Sequence, residues 1–271
     1  MEKFMAELKL TQIWTYPIKS LGGISMATGN VMEKGIQYDR RWMLVDPDGK
    51  FMTQRIYPNM ALFTLAFDHP SLLVSYRDES ITIPLAPPES GNDRQVQIWD
   101  DTVSAVEVGT EYSDWFTKNL GIACTLVYFP EQNRRPIDPD FNRNDNQVSL
   151  ADGYPYLMIG QSSLDALNEK MSSPVPINRF RPNFVFSGGK PHDEDLWSDF
   201  LIGTVPFVGV KPCSRCVLTT VNQETGEKGV EPLRTLSTYR KNGSSIHFGQ
   251  NLVARGNGVV RVGDSITFID S

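Results

Sequence analysis

The chain has few groups that could build a disulfide scaffold or a multi-ligand metal site. Its 271 residues include three cysteines and three histidines. An odd, low cysteine count does not make a disulfide framework, so a reducing compartment is expected, here the cytoplasm. Long apolar runs are missing as well. None approaches the ~20 residues of a membrane-spanning helix, the longest being broken by Lys, Asp or Pro. The first nine residues, Met-Glu-Lys-Phe-Met-Ala-Glu-Leu-Lys, contain two glutamates and no apolar core, which argues against a secretory leader. Positive charge is in deficit: 26 Lys and Arg face 32 Asp and Glu, a formal net charge of -6. That balance speaks against non-specific nucleic-acid binding. An anionic ligand must therefore meet a local basic cluster. Internal repeats and low-complexity tracts are also absent.

What the chain does have is a succession of short strand signals. Residues 8–14 alternate apolar and polar side chains up to Tyr16-Pro17. Residues 41–45 and 51–53 flank Asp46-Pro47-Asp48-Gly49-Lys50, a hairpin turn with Pro and Gly at turn positions. Two more hairpins are expected over 71–84 and 96–108. Thr110 is placed to cap a short helix carrying Trp115, Phe116 and Leu120, stopped by Gly121. Residues 124–129 return to strand. The Pro-, Asp-, Asn- and Arg-rich stretch 130–146 reads as a linker or long surface loop, and sets a division into 1–129 and 130–271. Beyond it a strand is expected over 156–159, then a helix from Ser162 or Ser163, a strand over 184–186 and a helix over 233–240. A terminal hairpin is expected from 252–254 through Gly256-Asn257-Gly258 to 259–269. This pattern predicts a mainly β, α+β chain of barrel-like architecture.

Two of the three cysteines fall in Lys211-Pro212-Cys213-Ser214-Arg215-Cys216, just before the β-branched run 217–221. Structural zinc normally wants four protein ligands, and Cys124, His69, His192 and His247 offer none at ligand spacing. A thioredoxin-type pair opens a helix, whereas the run here is strand-like. The two thiols as simple core residues fit poorly with Ser214 and Arg215 between them. One functional thiolate, favoured by the neighbouring arginine, and one structural thiol is the reading adopted. A single soft thiolate suits molybdenum when an organic dithiolene supplies the other sulfurs.

These motifs resemble the MOSC superfamily, in the arrangement of an N-terminal MOSC β-barrel domain followed by a MOSC domain. The likeness rests on Tyr16-Pro17-Ile18-Lys19-Ser20, Asp39-Arg40, Thr53-Gln54-Arg55, Asn178-Arg179-Phe180-Arg181-Pro182-Asn183, Cys213-Ser214-Arg215-Cys216, His247-Phe248-Gly249-Gln250-Asn251 and Val262-Gly263-Asp264. Within that superfamily the chain is similar to mitochondrial amidoxime-reducing components and to bacterial reductases that detoxify N-hydroxylated bases. The resemblance implies a molybdenum cofactor, a pyranopterin dithiolene bearing a phosphate. It assigns Cys216 as metal ligand and catalytic thiolate, and Cys213 as a non-ligand. Cofactor contacts map to Lys19, Ser20, Arg40, Arg181, Asn183, Ser214, Arg215 and Asn251, the last standing where the family has tyrosine. Gly153-Tyr154 stand where it has a Thr-Ser pair. Four cations from separate segments of an acidic protein suit an anionic cofactor, against the plain alternative that each pairs with a nearby Asp or Glu.

The implied reaction is two-electron reduction of a small N-hydroxylated substrate. Proton donors to consider are Asp264, His247 and Asp193-Glu194-Asp195, the last otherwise a solvated charge cluster. The sequence holds no C-x4-C-x2-C array for an iron–sulfur domain, so electrons are expected from a separate flavoprotein, haem protein or ferredoxin. Two other readings compete: a sulfur carrier holding persulfide on Cys216, and a non-catalytic module that stores or delivers the cofactor.

Overall fold

The computed structural model describes residues 7–88, 91–142 and 144–269. The segment used above to argue against a leader lies largely outside them. The fold is mainly β, with three short α-helices among the described residues: Thr110–Leu120, Gln161–Asn168 and Leu233–Ser237.

A nine-stranded sheet forms the larger layer. Along it run Ile266–Phe268, Asp199–Ile202, Val205–Ser214, Ser245–Ala254, Tyr156–Gly160, Phe184–Ser187, Lys9–Thr15 and Ile24–Met26, with Lys241–Asn242 paired to the side. Among the described residues of this sheet, only Tyr156–Gly160 and Phe184–Ser187 pair in parallel, and the helix Gln161–Asn168 supplies the crossover such a pair requires. A four-stranded sheet of Trp42–Val45, Thr125–Tyr128, Asp101–Glu107 and Asp93–Ile98 organises the first half. The meander Thr64–Asp68, Ser71–Tyr76, Glu79–Pro84 covers it. One core lies beneath that meander around Trp42, Phe63 and Phe116. Another fills the large sheet around Tyr156, Phe184 and Phe207.

The sheets do not follow the sequence halves. Lys9–Thr15 pairs antiparallel with Phe184–Ser187, and Thr28–Met32 with Gly258–Arg261. The first strands are thus seated in the sheet system of the second half. The stretch 130–146, expected as a linker or long surface loop, is a loop tied to its surroundings. Arg135 is buried there, giving hydrogen bonds to Ser149 O (2.9 Å) and Ala151 O (2.5 Å) and an ion pair to Asp101 (2.8 Å). Glu131 pairs with buried Arg41 at 2.5 Å.

Several expectations need correction. The run after Cys216 is a 3-10 turn, Val217–Thr220, because the Thr219 and Thr220 hydroxyls donate back to Cys216 O (3.0 Å) and Val217 O (2.8 Å). The strand precedes the motif and ends at Ser214. The objection to redox chemistry drawn from a following strand therefore falls away. The terminal hairpin does not form either: Ile266–Phe268 turns aside to pair with Asp199–Ile202. Gly109, not Thr110, caps the first helix, whose Gly121 stop is left-handed as expected, at φ 70. The helix from Leu233 ends at Ser237.

Candidate functional site

The strand Lys9–Thr15 runs into a turn that carries Lys19 and Ser20. The turn is fixed by Lys19 N donating to Trp42 O (2.8 Å) and by the buried Gln54 amide donating to Ser20 O (2.7 Å). Arg40 lies just before the strand Trp42–Val45, its amide donating to Tyr16 O. Arg181 and Asn183 lie between the turn Ile177–Arg179 and the strand Phe184–Ser187. Ser20, Arg40 and Arg181 all have left-handed backbones, at φ 67, 48 and 55. Three non-glycine residues in that region within one site indicate strain held in place by its surroundings.

All nine residues singled out from sequence line one open cavity of about 160 Å³, whose wall also includes Phe51, Thr53, Arg55, Asp152, Gly153, Tyr154 and Cys213. Its lining cations are Lys19, Arg40, Arg55, Arg181 and Arg215, against the single lining carboxylate of Asp152. An acidic chain has thus concentrated positive charge at one place.

Tyr16 is the floor of this cluster. The Arg40 and Arg181 guanidiniums lie over its ring, each 4.2 Å from the centroid. Burial pushes its phenol up to about 12, against the lowering effect of the two arginines. Beneath, fully buried Asp39 accepts from Tyr16 N (2.8 Å), the Thr15 hydroxyl (3.3 Å) and both ways from Arg40 Nη1 (2.8 and 2.6 Å). Arg40 is therefore compensated. Arg181 is not: burial and the nearby Arg40 charge lower it to about 10, and its Nη1 donates to Leu21 O at 2.7 Å. Among the described residues, Arg181 Nη2 and Arg215 Nε are buried without a hydrogen-bond partner. Such orphaned donors on cations are costly in a dry site and call for an acceptor.

Lys19, 6% exposed, donates to Leu150 O (2.8 Å) and pairs with Asp152 at 2.6 Å. Burial lowers its ammonium to about 8. Burial alone would raise Asp152, but Lys19 and the Trp99 indole hold it well below the usual carboxylate range. Asn183 is more brace than open ligand: Nδ2 donates to Trp14 O (3.2 Å), and Oδ1 accepts from Leu157 N (3.2 Å) and Arg40 Nη1 (3.5 Å). Asn251 donates to Lys211 O at 3.2 Å.

Cys216 is exposed and Cys213 half-buried. The Arg215 guanidinium turns to Cys213 Sγ at 2.9 Å and to Phe180 O at 2.6 Å. The arginine expected beside the Cys216 thiol is thus engaged with the other sulfur, because Arg215 continues the edge of Val205–Ser214 with its amide bonded to Ile246 O. Among the described residues, no group of three or more His, Cys, Asp or Glu is arranged to hold a metal.

The proton-donor suggestions do not fall in the cavity. Asp264 accepts from Arg261 N (2.7 Å) in a distant turn, and His247 lies on Ser245–Ala254 outside the lining. The 193–195 cluster is not solvated throughout. Glu194 is fully buried, holding Gly160 N (3.1 Å) and the Ser163 hydroxyl (2.8 Å), and burial raises its carboxyl. The residues that sequence reasoning missed are Arg55, Asp152 and Trp99. Arg55 stood inside a quoted motif, but Asp152 and Trp99 carried no local signal.

Comparison with known proteins fits this arrangement. Residues 7–123 match the MOSC N-terminal beta barrel domain and residues 145–267 the MOSC domain. The mouse (Mus musculus) protein named mitochondrial amidoxime-reducing component 1 is 32% identical over 95% of this chain and 81% of its own length. Its human (Homo sapiens) counterpart is 31% identical over 95% and 82%. The chain belongs to the MOSC family. A rice (Oryza sativa subsp. japonica) molybdenum cofactor sulfurase is also similar, 29% identical over 92% of the MOSC chain but only 33% of its own length. Among the described residues, no helix of the MOSC chain is long and apolar enough to cross a membrane.

Proposed function

We propose that this MOSC chain binds the molybdenum cofactor and reduces small N-hydroxylated compounds (hydroxylamines, N-hydroxylated bases, amidoximes). Electrons come from a separate flavoprotein, haem protein or ferredoxin. The carrying observation is the convergence of five cations and an exposed thiol on one cavity of an acidic protein, with buried donors of Arg181 and Arg215 lacking acceptors. The donor set fits a phosphate-bearing, sulfur-rich cofactor. Lys19, Ser20, Arg181 and Arg215 supply charge and hydrogen bonds to its anionic end, and Cys216 the one protein thiolate. Arg40, fixed by Asp39 and Asn183, holds positive potential at the floor.

When bound, the cofactor supplies the two-electron redox couple. The reaction balances as R–NHOH + 2 e⁻ + 2 H⁺ → R–NH2 + H2O. The chain binds and orients both partners within the open cavity. The relatives named amidoxime-reducing components support this chemistry for a chain that aligns with them over 95% of its own length. The unpaired cysteines are in keeping with a reducing cytoplasm.

The test is an anaerobic assay of metal-loaded protein with reduced viologen dye, hydroxylamine or benzamidoxime. Amine or amidine should form with two dye electrons per product, and Cys216→Ala should abolish it. Metal-loaded protein that reduces neither compound would overturn the reading. The rice sulfurase likeness together with the exposed Cys216 keeps the sulfur-carrier reading in play. Intact mass spectrometry would show it as a persulfide on Cys216 in metal-free protein.

A further inference from the structure

Trp99 does not line the cavity but stands against three residues that do. Its indole lies over the Arg55 guanidinium, 3.9 Å from Cζ to the ring centroid, and 5.3 Å from the Phe51 ring. Its Nε1 donates to Asp152 at 3.2 Å. Phe51, Arg55 and Asp152 all belong to the cavity wall. The indole is also costly where it is. Trp99 occupies the two-residue turn between Asp93–Ile98 and Asp101–Glu107, with a left-handed backbone at φ 55. Such turns favour Gly, Asn or Asp, and a bulky aromatic there is an outlier. The residue is nevertheless 41% exposed, so core burial does not explain it. A second anomaly adjoins it. Among the described residues Arg55 forms no close salt bridge, its charge acting on Asp152 without direct contact, and its Nε is tied to the Thr53 hydroxyl at 3.2 Å. Phe51, Arg55 and Trp99 thus form a cation–aromatic stack beside the Lys19–Asp152 pair, with Lys19 Nζ 5.4 Å from the Phe51 ring centroid.

We propose that this stack is the specificity-determining wall of the site. The exposed indole face, backed by Arg55, receives the planar conjugated part of an aryl amidoxime or N-hydroxylated base. The Nε1–Asp152 bond sets the ring's orientation. A flat, π-conjugated substrate gains stacking there, while hydroxylamine, with no π face, gains none. The proposal deepens the reductase reading and rests on it for the word substrate, but its binding arm does not need turnover.

Calorimetric titration of the folded chain with benzamidoxime tests it, using wild type, Trp99→Ala and Trp99→Phe. Removing a stacking ring should weaken binding about tenfold, whereas Trp99→Phe keeps a ring face and should stay within about threefold of wild type. In steady-state assays the ratio of kcat/KM for benzamidoxime over hydroxylamine should fall about tenfold in Trp99→Ala and little in Trp99→Phe. No benzamidoxime binding to wild type, or equal binding to Trp99→Ala, overturns the proposal. A Trp99→Phe loss as large as that of Trp99→Ala also overturns it, since a ring face at this position would then contribute nothing. A protein that binds benzamidoxime through Trp99 yet reduces nothing would sink the reductase reading and leave the aromatic site standing.

Discussion

Replacing Lys19 with methionine should make the empty protein's stability respond to pH in a way the wild type reveals by difference. Lys19 is buried, and desolvation lowers its ammonium from 10.5 to about 8. Below about pH 8 the folded protein must hold that charge in a dry place. Between about 8 and 10.5 the unfolded chain binds a proton that the folded one has released. Stability therefore rises with pH across this window, by about 1.4 kcal/mol for each pH unit. The methionine side chain of the variant titrates nothing. From pH 7 to pH 9.5 the wild type should thus gain about 2 kcal/mol relative to Lys19→Met. Urea unfolding of both proteins at several pH values reads the difference, in which other titrating groups largely cancel. Anion binding should behave oppositely. Phosphate, bound through charged Lys19, should weaken in wild type as pH rises through about 8 and be weak throughout in Lys19→Met. A stability difference that is flat or falls with pH would mean instead that the Asp152 pair outweighs burial and Lys19 is not depressed.

The floor of the site is held by Asp39. Asp39→Asn should leave two guanidiniums facing Tyr16 without a buried counter-charge, costing about 3–5 kcal/mol. Differential scanning calorimetry should show the melting point down by roughly 10 °C, with phosphate restoring more of it than in wild type. Gly209 has a steric role. A Cβ there would lie 1.9 Å from Trp197 O, a backbone atom, so Gly209→Ala must displace the strand Val205–Ser214. A loss of at least about 2 kcal/mol is expected from the urea midpoint.

The repeating strand signals were legible because each had local turn chemistry: Pro and Gly over 47–49 and Gly121 behind Phe116 act within a few residues. The site motifs were legible as segments, and the fold brings all nine predicted residues to one cavity. What the sequence hid was pairing at long range. Gly258–Arg261 finds Thr28–Met32 across most of the chain, and nothing local announces that choice. The 217–220 turn was misread because β-branched residues favour strand until the Thr219 and Thr220 hydroxyls capture carbonyls three residues back. Glu194 looked like surface because its neighbours are acidic, yet the Gly160 amide and Ser163 hydroxyl drew it inside. Arg215 adjoins both cysteines in sequence, and only the strand edge decides that its guanidinium meets Cys213.

The proposed function stands or falls on Cys216 as the molybdenum ligand. Protein made in a host that synthesises the cofactor should be analysed for metal by elemental mass spectrometry as wild type, Cys213→Ala and Cys216→Ala. About one molybdenum per chain is expected in wild type and Cys213→Ala, with loss in Cys216→Ala alone. Folded wild type without molybdenum, or retention in Cys216→Ala with loss in Cys213→Ala, would contradict it.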